Sequence, residues 1–268
     1  MWSRLARTYC LPSTTISATI GRSKDDNILI YFAGHGASYD ANAFFKRSHD
    51  QIEALCPSDR GKDTKTDKLI PDISDRELSI ILMELHDIKG GNISVVLDCC
   101  HSGGATREAA GTRVRAGNPL SDGLKLMLRA ADKDSRRLDK TKKACDEKLG
   151  WDPNTSVLIA ACTAGERAKE GDFDGKAQGY FTRALLRVLR DEAHKDKTYT
   201  DIGAEITKLI PSYKGSHVQN PLVLGERQHC RMWFVDDGSD ADSDEGSDDV
   251  SAVSGDESGT DEYGSDDD

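Results

Sequence analysis

The chain has 268 residues, 37% of them hydrophobic, and a formal net charge of −11. That charge is local: 15 of the 47 acidic residues and none of the 36 basic ones lie from Asp236 onward, so the first 235 residues carry 32 acids and a net +4. No run of about 20 apolar residues exists to span a membrane and no apolar core marks a secretory signal, while seven unevenly spaced cysteines do not form a secreted disulfide framework.

Residues 1–25 read as an irregular segment with no strand–helix–strand pattern beyond "TTISATI". Residues 1–24 hold Arg4, Arg7, Arg22 and Lys24, many Ser and Thr, and no acid, a composition shared with mitochondrial transit peptides. A cytoplasmic location is expected, with the mitochondrion as the alternative. Ile28 to Phe32 is an unbroken apolar run closed by Gly34 and Gly36, which predicts a strand buried on both faces. The polar stretch Ala37–Pro71 is expected to loop over the surface. Ser74 and Glu77 then form a capping-box signature ahead of Leu78, Ile81, Leu82 and Leu85 at helical spacing. The turn "KGGN" leads into "ISVVLD", a second buried strand. Strand, helix, strand implies a parallel sheet with right-handed crossovers, whose functional groups gather beyond the carboxyl ends of the strands. His35 and the Cys99–Cys100 pair therefore share one rim.

Residues 104–154 read as an exposed basic linker, with helix possible over Leu120–Ala131; 104–150 hold 12 Lys/Arg against 7 Asp/Glu. Thr155–Ala164 predicts a third strand. Phe181, Ala184, Leu185, Val188 and Leu189 mark one face of an amphipathic helix. A short helix over Asp201–Ile210 and a strand at "CRMWFV" close one domain spanning 26–235. The tail, 236–268, cannot bury a core and is expected to be disordered. It reads as a solubilising segment; the alternative is docking to a basic partner, or phosphorylation at Ser239, Ser254, Ser258 or Ser265, each followed three residues on by an acid.

A cysteine becomes a nucleophile when an imidazole takes its proton, and acyl transfer also needs backbone N–H groups aimed at the oxyanion. His101 is adjacent to Cys100, but successive side chains leaving a strand point to opposite faces, so His35 is the better base. Spacing alone leaves the choice between Cys99 and Cys100 open. Contiguous Cys99, Cys100 and His101 lack the separation of zinc ligands, and no metal site is expected.

"ILIYFAGHG" followed by "VVLDCCHSGG", with the later "LIAACTAGERAKE", "GYFTRALL" and "QNPLVLG", resembles the caspase-like cysteine peptidases, specifically the metacaspases. The resemblance runs from about Asp26 to Phe234. It implies an α/β fold, a three-layer α/β/α sandwich with a mostly parallel central sheet. It makes His35 the general base and Cys100 the nucleophile, with Gly36 and Cys100 N–H groups as oxyanion hole and Asp98 lining the pocket for a basic P1 side chain. The activity implied is endopeptidase cleavage after Arg or Lys, with self-processing near Arg113, Arg115, Arg136 or Arg137. Protein or peptide substrates are expected, and neither nucleic acid nor membrane is. Metacaspases have two further strands and a helix before the histidine strand, so the chain reads as N-terminally truncated; another acidic pocket residue belongs to that region, and Ala33 stands where a pocket serine is common. Many metacaspases use calcium through positions matching Asp59 and Asp75, but Arg107 stands where a further Asp is usual, so no cofactor is expected and calcium activation is weakened. The rival readings are an inactive caspase-like scaffold and a redox sensor built on Cys99 and Cys100.

Overall fold

The computed structural model describes residues 7–10, 17–20, 24–41, 51–63, 65–100, 112–114, 117–138, 151–163, 166–211 and 219–233. The chain divides into two units, Met1–Val235 and Asp236–Asp268; the acidic tail lies outside the described residues. The strands, in chain order, begin with β1 (Arg7–Cys10), β2 (Ser17–Ile20), β3 (Ile28–Ala33), β4 (His35–Asp40) and β5 (Gln51–Cys56). The short β6 (Gly61–Lys62), β7 (Leu69–Ile70) and β8 (Ile73–Ser74) precede helix α1 (Asp75–Lys89). Then come β9 (Ile93–Asp98), β10 (Thr112–Val114), α2 (Gly123–Leu138), β11 (Val157–Ala160), β12 (Lys169–Phe173) and β13 (Lys176–Gly179). Helices α3 (Tyr180–Arg190) and α4 (Tyr199–Leu209) are followed by β14 (Leu222–Leu224).

The six-stranded central sheet runs β1-β2-β3-β9-β11-β14. Its middle, β3-β9-β11, is parallel; β2 and β14 pair antiparallel on either side. Alternation sorts the faces. Ile28, Ile30, Phe32, Val95 and Leu97 cluster with Leu82 of α1, whereas Val96, Val157 and Ile159 cluster with Phe181, Ala184, Leu185 and Val188 of α3 and Ile202 and Ile206 of α4. This is the three-layer α/β/α sandwich that the family resemblance implies. β9 is buried along its whole length, as a central strand covered on both faces must be.

Helix starts follow the sequence signals. Ser74 Oγ accepts the Glu77 N–H, 3.1 Å, at the head of α1, which ends on Gly90 at φ 90°, a conformation open to glycine. Thr198 and Asp201 form a reciprocal capping box on α4. Among the described residues no helix is long and apolar enough to cross a membrane.

Four expectations differ from the fold. The described part of Ala37–Pro71 is not a surface loop. β4, β5 and β8 form a second sheet whose Ala37, Tyr39, Ile52 and Ala54 pack with Ile80 of α1 and Met127, Leu128 and Ala131 of α2. Its buried anchor is Asp72, which accepts Arg60 Nε and Nη2 at 2.6 Å each and the Tyr39 hydroxyl at 2.7 Å. Part of the 104–154 stretch is likewise structured rather than an exposed connection. α2 contributes three buried side chains, and β10 pairs antiparallel with β12. Residues 1–25 are not wholly irregular: β1 and β2 pair antiparallel and extend the sheet beyond β3. Finally, the described part of "CRMWFV", Cys230–Trp233, forms no strand. It makes one isolated bridge, Thr198 to Arg231, and Trp233 sits at φ 56°, which breaks extended pairing. The sheet is closed instead by β14, whose three residues between Pro221 and Gly225 are too short to show a period.

Candidate active site

β3 and β9 run parallel in register, Ala33 opposite Asp98, and the Gly34 N–H donates to the Asp98 carbonyl, 3.2 Å. The two chains therefore leave the sheet at the same level, one carrying His35 and Gly36, the other Cys99 and Cys100. Gly36 marks their closest approach. A Cβ there would lie 1.7 Å from the Cys100 carbonyl oxygen, so only glycine fits. The Gly36 carbonyl accepts the Gly117 N–H, 2.8 Å, tying the segment before α2 to the same rim.

Backbones meet here more closely than side chains do. The His35 side chain is exposed, and its cross-strand neighbour is Cys56. Cys100 is fully buried: its thiol donates to the Ala168 carbonyl, 3.4 Å, and its sulfur accepts the Ala168 N–H, 3.0 Å. Among the described residues no hydrogen bond joins the His35 imidazole to the Cys100 thiol. Cys99 is equally buried, packed with Phe32, Leu82 and Leu97 on the α1 side, while Cys100 packs with Val96 and Phe181 on the opposite side. The alternation expected of a strand thus separates the two cysteines. His101 and Arg107 lie outside the described residues.

Cys162 is a neighbour the sequence did not single out. Its thiol donates to the Cys99 carbonyl, 3.7 Å, and its pKa is raised, first by hydrogen bonding to the Cys100 side chain and then by burial. It stays a neutral donor beside Cys100. The segment that covers Cys100 is held by Glu166, which accepts the N–H groups of Thr163 and Asn220 and the Asn220 side-chain amide. Burial opposes ionisation of Glu166, but the hydrogen bonds from Asn220 and Thr163 together outweigh it and its pKa is lowered. Gln219 adds a bridge, accepting the Lys169 N–H and donating to the Ala161 carbonyl, 3.2 Å each.

Asp98, at the end of β9, is fully buried. Its Oδ2 accepts the Thr182 hydroxyl, 2.6 Å, and the Thr182 N–H, 3.3 Å, at the first turn of α3. Since that hydroxyl proton is directed to Asp98, the 2.8 Å contact between Tyr31 and Thr182 has the tyrosine donating. Thr182 is a second residue missed in the sequence, where "GYFTRALL" advertises only its apolar face. Asp98 therefore lies beneath Thr182 rather than on an open pocket wall.

Burial disfavours the charged form of two carboxylates near β5. Glu53 is raised to about 7 by burial, with a smaller push from the Asp75 charge and against a hydrogen bond from Ser38 that lowers it, and Asp75 is raised to about 6 by burial. Asp59 has one carboxylate oxygen buried without a hydrogen-bond partner. Among the described residues no three His, Cys, Asp or Glu are grouped to hold a metal ion.

His35 and Cys100 both stand beyond the carboxyl ends of adjacent parallel strands inside an α/β/α sandwich. The chain belongs to the caspase-domain peptidase family: the model of the Peptidase_C14 caspase domain matches residues 15–228. Among solved structures, the protein GSU0716 of Geobacter sulfurreducens is 19% identical, with 76% of this chain and 68% of that one covered and a TM-score of 0.43. Pro-sf-caspase-1 is 10% identical over 83% of this chain and 95% of its own, with a TM-score of 0.28. Comparison with curated proteins gave no match.

Proposed function

We propose that the chain is a cysteine endopeptidase of the metacaspase kind, with Cys100 as nucleophile and His35 as general base, acting on protein or peptide substrates in the cytoplasm. The observation that carries this reading is the contact of Gly36 with the Cys100 carbonyl, which binds the histidine and cysteine strand ends to one point on the rim. In the reaction, His35 takes the Cys100 proton and the thiolate attacks the scissile carbonyl carbon. The Gly36 and Cys100 N–H groups hold the oxyanion, and His35 returns the proton to the leaving amine. Water, deprotonated by His35, then hydrolyses the thioester. Substrate entry requires the Ala168 segment to leave the Cys100 thiol, because the two are hydrogen-bonded and no solvent reaches the sulfur. Asp98 selects a basic P1 side chain once its contact with Thr182 is released.

Self-processing belongs to the same reading. Of the four candidate cleavage arginines, Arg113 lies in β10, on the edge of the small sheet, Arg136 and Arg137 lie in the last turn of α2, and Arg115 lies outside the described residues. A protease takes its substrate extended, so cleavage at Arg113 needs only release of β10 from β12.

Cys100→Ala should abolish turnover of an Arg-terminated peptide substrate, and Cys99→Ala should keep most of it. The reverse pattern would overturn the assignment. A second reading, a caspase-like scaffold without activity, rests on the burial of Cys100 and the engagement of Asp98 by Thr182. An Arg-directed electrophile separates the two: labelling of Cys100 rules out the scaffold, and an unreactive thiol rules out the peptidase.

A further inference from the structure

The outer face of α3 has chemistry unrelated to the thiol. A cleft of about 590 Å³ opens between α3, the Ala177–Gly179 end of β13 and Tyr31, within the ordinary range for ligand sites of roughly 300–1,000 Å³. Its charged lining consists of Arg183, Arg187 and Arg190, and none of its lining residues is acidic. Steps of four and three put the three guanidinium groups on one helix face. That row spans about 10 Å at a rise of ~1.5 Å per residue, with Leu186, 45% exposed, alongside it. Like charges at such spacings repel and weaken a helix. The Arg183 guanidinium sits 4.4 Å from the Phe173 ring centre, which fixes its position. Arg187 and Arg190 are exposed, and among the described residues neither has an ion-pair partner.

We propose that this cleft docks an extended acidic segment of a partner polypeptide, at a site separate from Cys100. In an extended chain, side chains on one face recur every ~6.7 Å, close to the ~6 Å axial step from Arg183 to Arg187. Alternate carboxylates therefore meet Arg183 and Arg187, with Arg190 a further ~4.5 Å along the helix. Arginine forks suit this role because each engages a carboxylate through two parallel N–H donors. A lone phosphate would engage one pair of arginines and leave the third, with Leu186, uncovered.

The test is fluorescence anisotropy of a labelled peptide of alternating glutamate and leucine, titrated with the full chain. Binding is expected. It should weaken about tenfold or more in R187Q/R190Q, whose side chains are exposed so that the fold survives, as circular dichroism will check. Affinity should fall steeply with salt, and a peptide with glutamine in place of glutamate should not bind. Absence of binding to the full chain, equal affinity for R187Q/R190Q, or equal binding of the glutamine peptide would each overturn the proposal. Displacement of the peptide by inorganic phosphate more strongly than by chloride at equal ionic strength would assign the cleft to small phosphorylated ligands instead. Because R187Q/R190Q leaves Cys100 untouched, its turnover of a short Arg-terminated peptide should match that of the native chain, which keeps this test separate from that of the peptidase reading.

Discussion

Replacing Gly36 by alanine probes the contact on which the site depends. The new methyl would lie 1.7 Å from the Cys100 carbonyl oxygen and 2.9 Å from its carbon, where ordinary contact begins near 3.4 Å. Both atoms belong to backbone, so no side-chain rotation can relieve the overlap. The rim must part by roughly 1.5 Å, and overpacking of this kind costs about 1–3 kcal/mol, set against the ~0.4–1 kcal/mol gained by restricting the unfolded chain. Displacement by ~1 Å in an active site typically costs about 100-fold in rate. Gly36→Ala should therefore lower the urea midpoint and slow alkylation of Cys100 by an Arg-directed electrophile about 100-fold. A variant with native midpoint and native alkylation rate would show that the histidine and cysteine strand ends do not touch.

Three further outcomes follow from the same structure. Arg60→Ala should destabilise by about 3–5 kcal/mol, because it leaves the fully buried Asp72 without its paired guanidinium; a urea midpoint within error of native would refute the Asp72 network. Thr182→Val removes the hydroxyl that holds Asp98 and should cost about 1.5–3 kcal/mol by chemical denaturation, with no loss expected if Asp98 were exposed to water. The folded protein holds its Glu53 and Asp75 protons to higher pH, about 7 and about 6, than the unfolded chain does. Stability should therefore be greatest below the unfolded values and decline as pH rises through 7. After allowance for solvent screening Glu53 accounts for about 1–2 kcal/mol, and Glu53→Gln should flatten the midpoint's pH dependence; an unchanged profile would place the charge elsewhere.

Much of the scaffold was legible locally. β3 and β9 are continuous apolar runs because both faces of a central parallel strand are covered, and α3 shows its buried face at a period that needs no partner to be seen. Ser74 and Gly90 mark helix ends through bonds made within one turn, whereas the Thr198 cap starts α4 at Tyr199, two residues before the expected Asp201. The second sheet was not legible. β4 and β5 carry small and polar residues, and their burial depends on α2, more than 60 residues further on. β14 escaped notice because three residues show no period.

For the site, the sequence by itself placed a histidine and two cysteines just after two strands, with a carboxylate at the end of the second; that those strands are neighbours is a property of the fold. Strand alternation, a property of the chain alone, also separates Cys99 from Cys100. Tertiary structure decided the surroundings: Gly36 against the Cys100 carbonyl, Ala168 over the thiol, Cys162 beside it and Thr182 holding Asp98. Each of these joins residues 64 to 84 positions apart, or, for Cys162, 62. No local periodicity encodes such pairs, because they are selected by how helices and strands pack, and packing depends on the whole core at once.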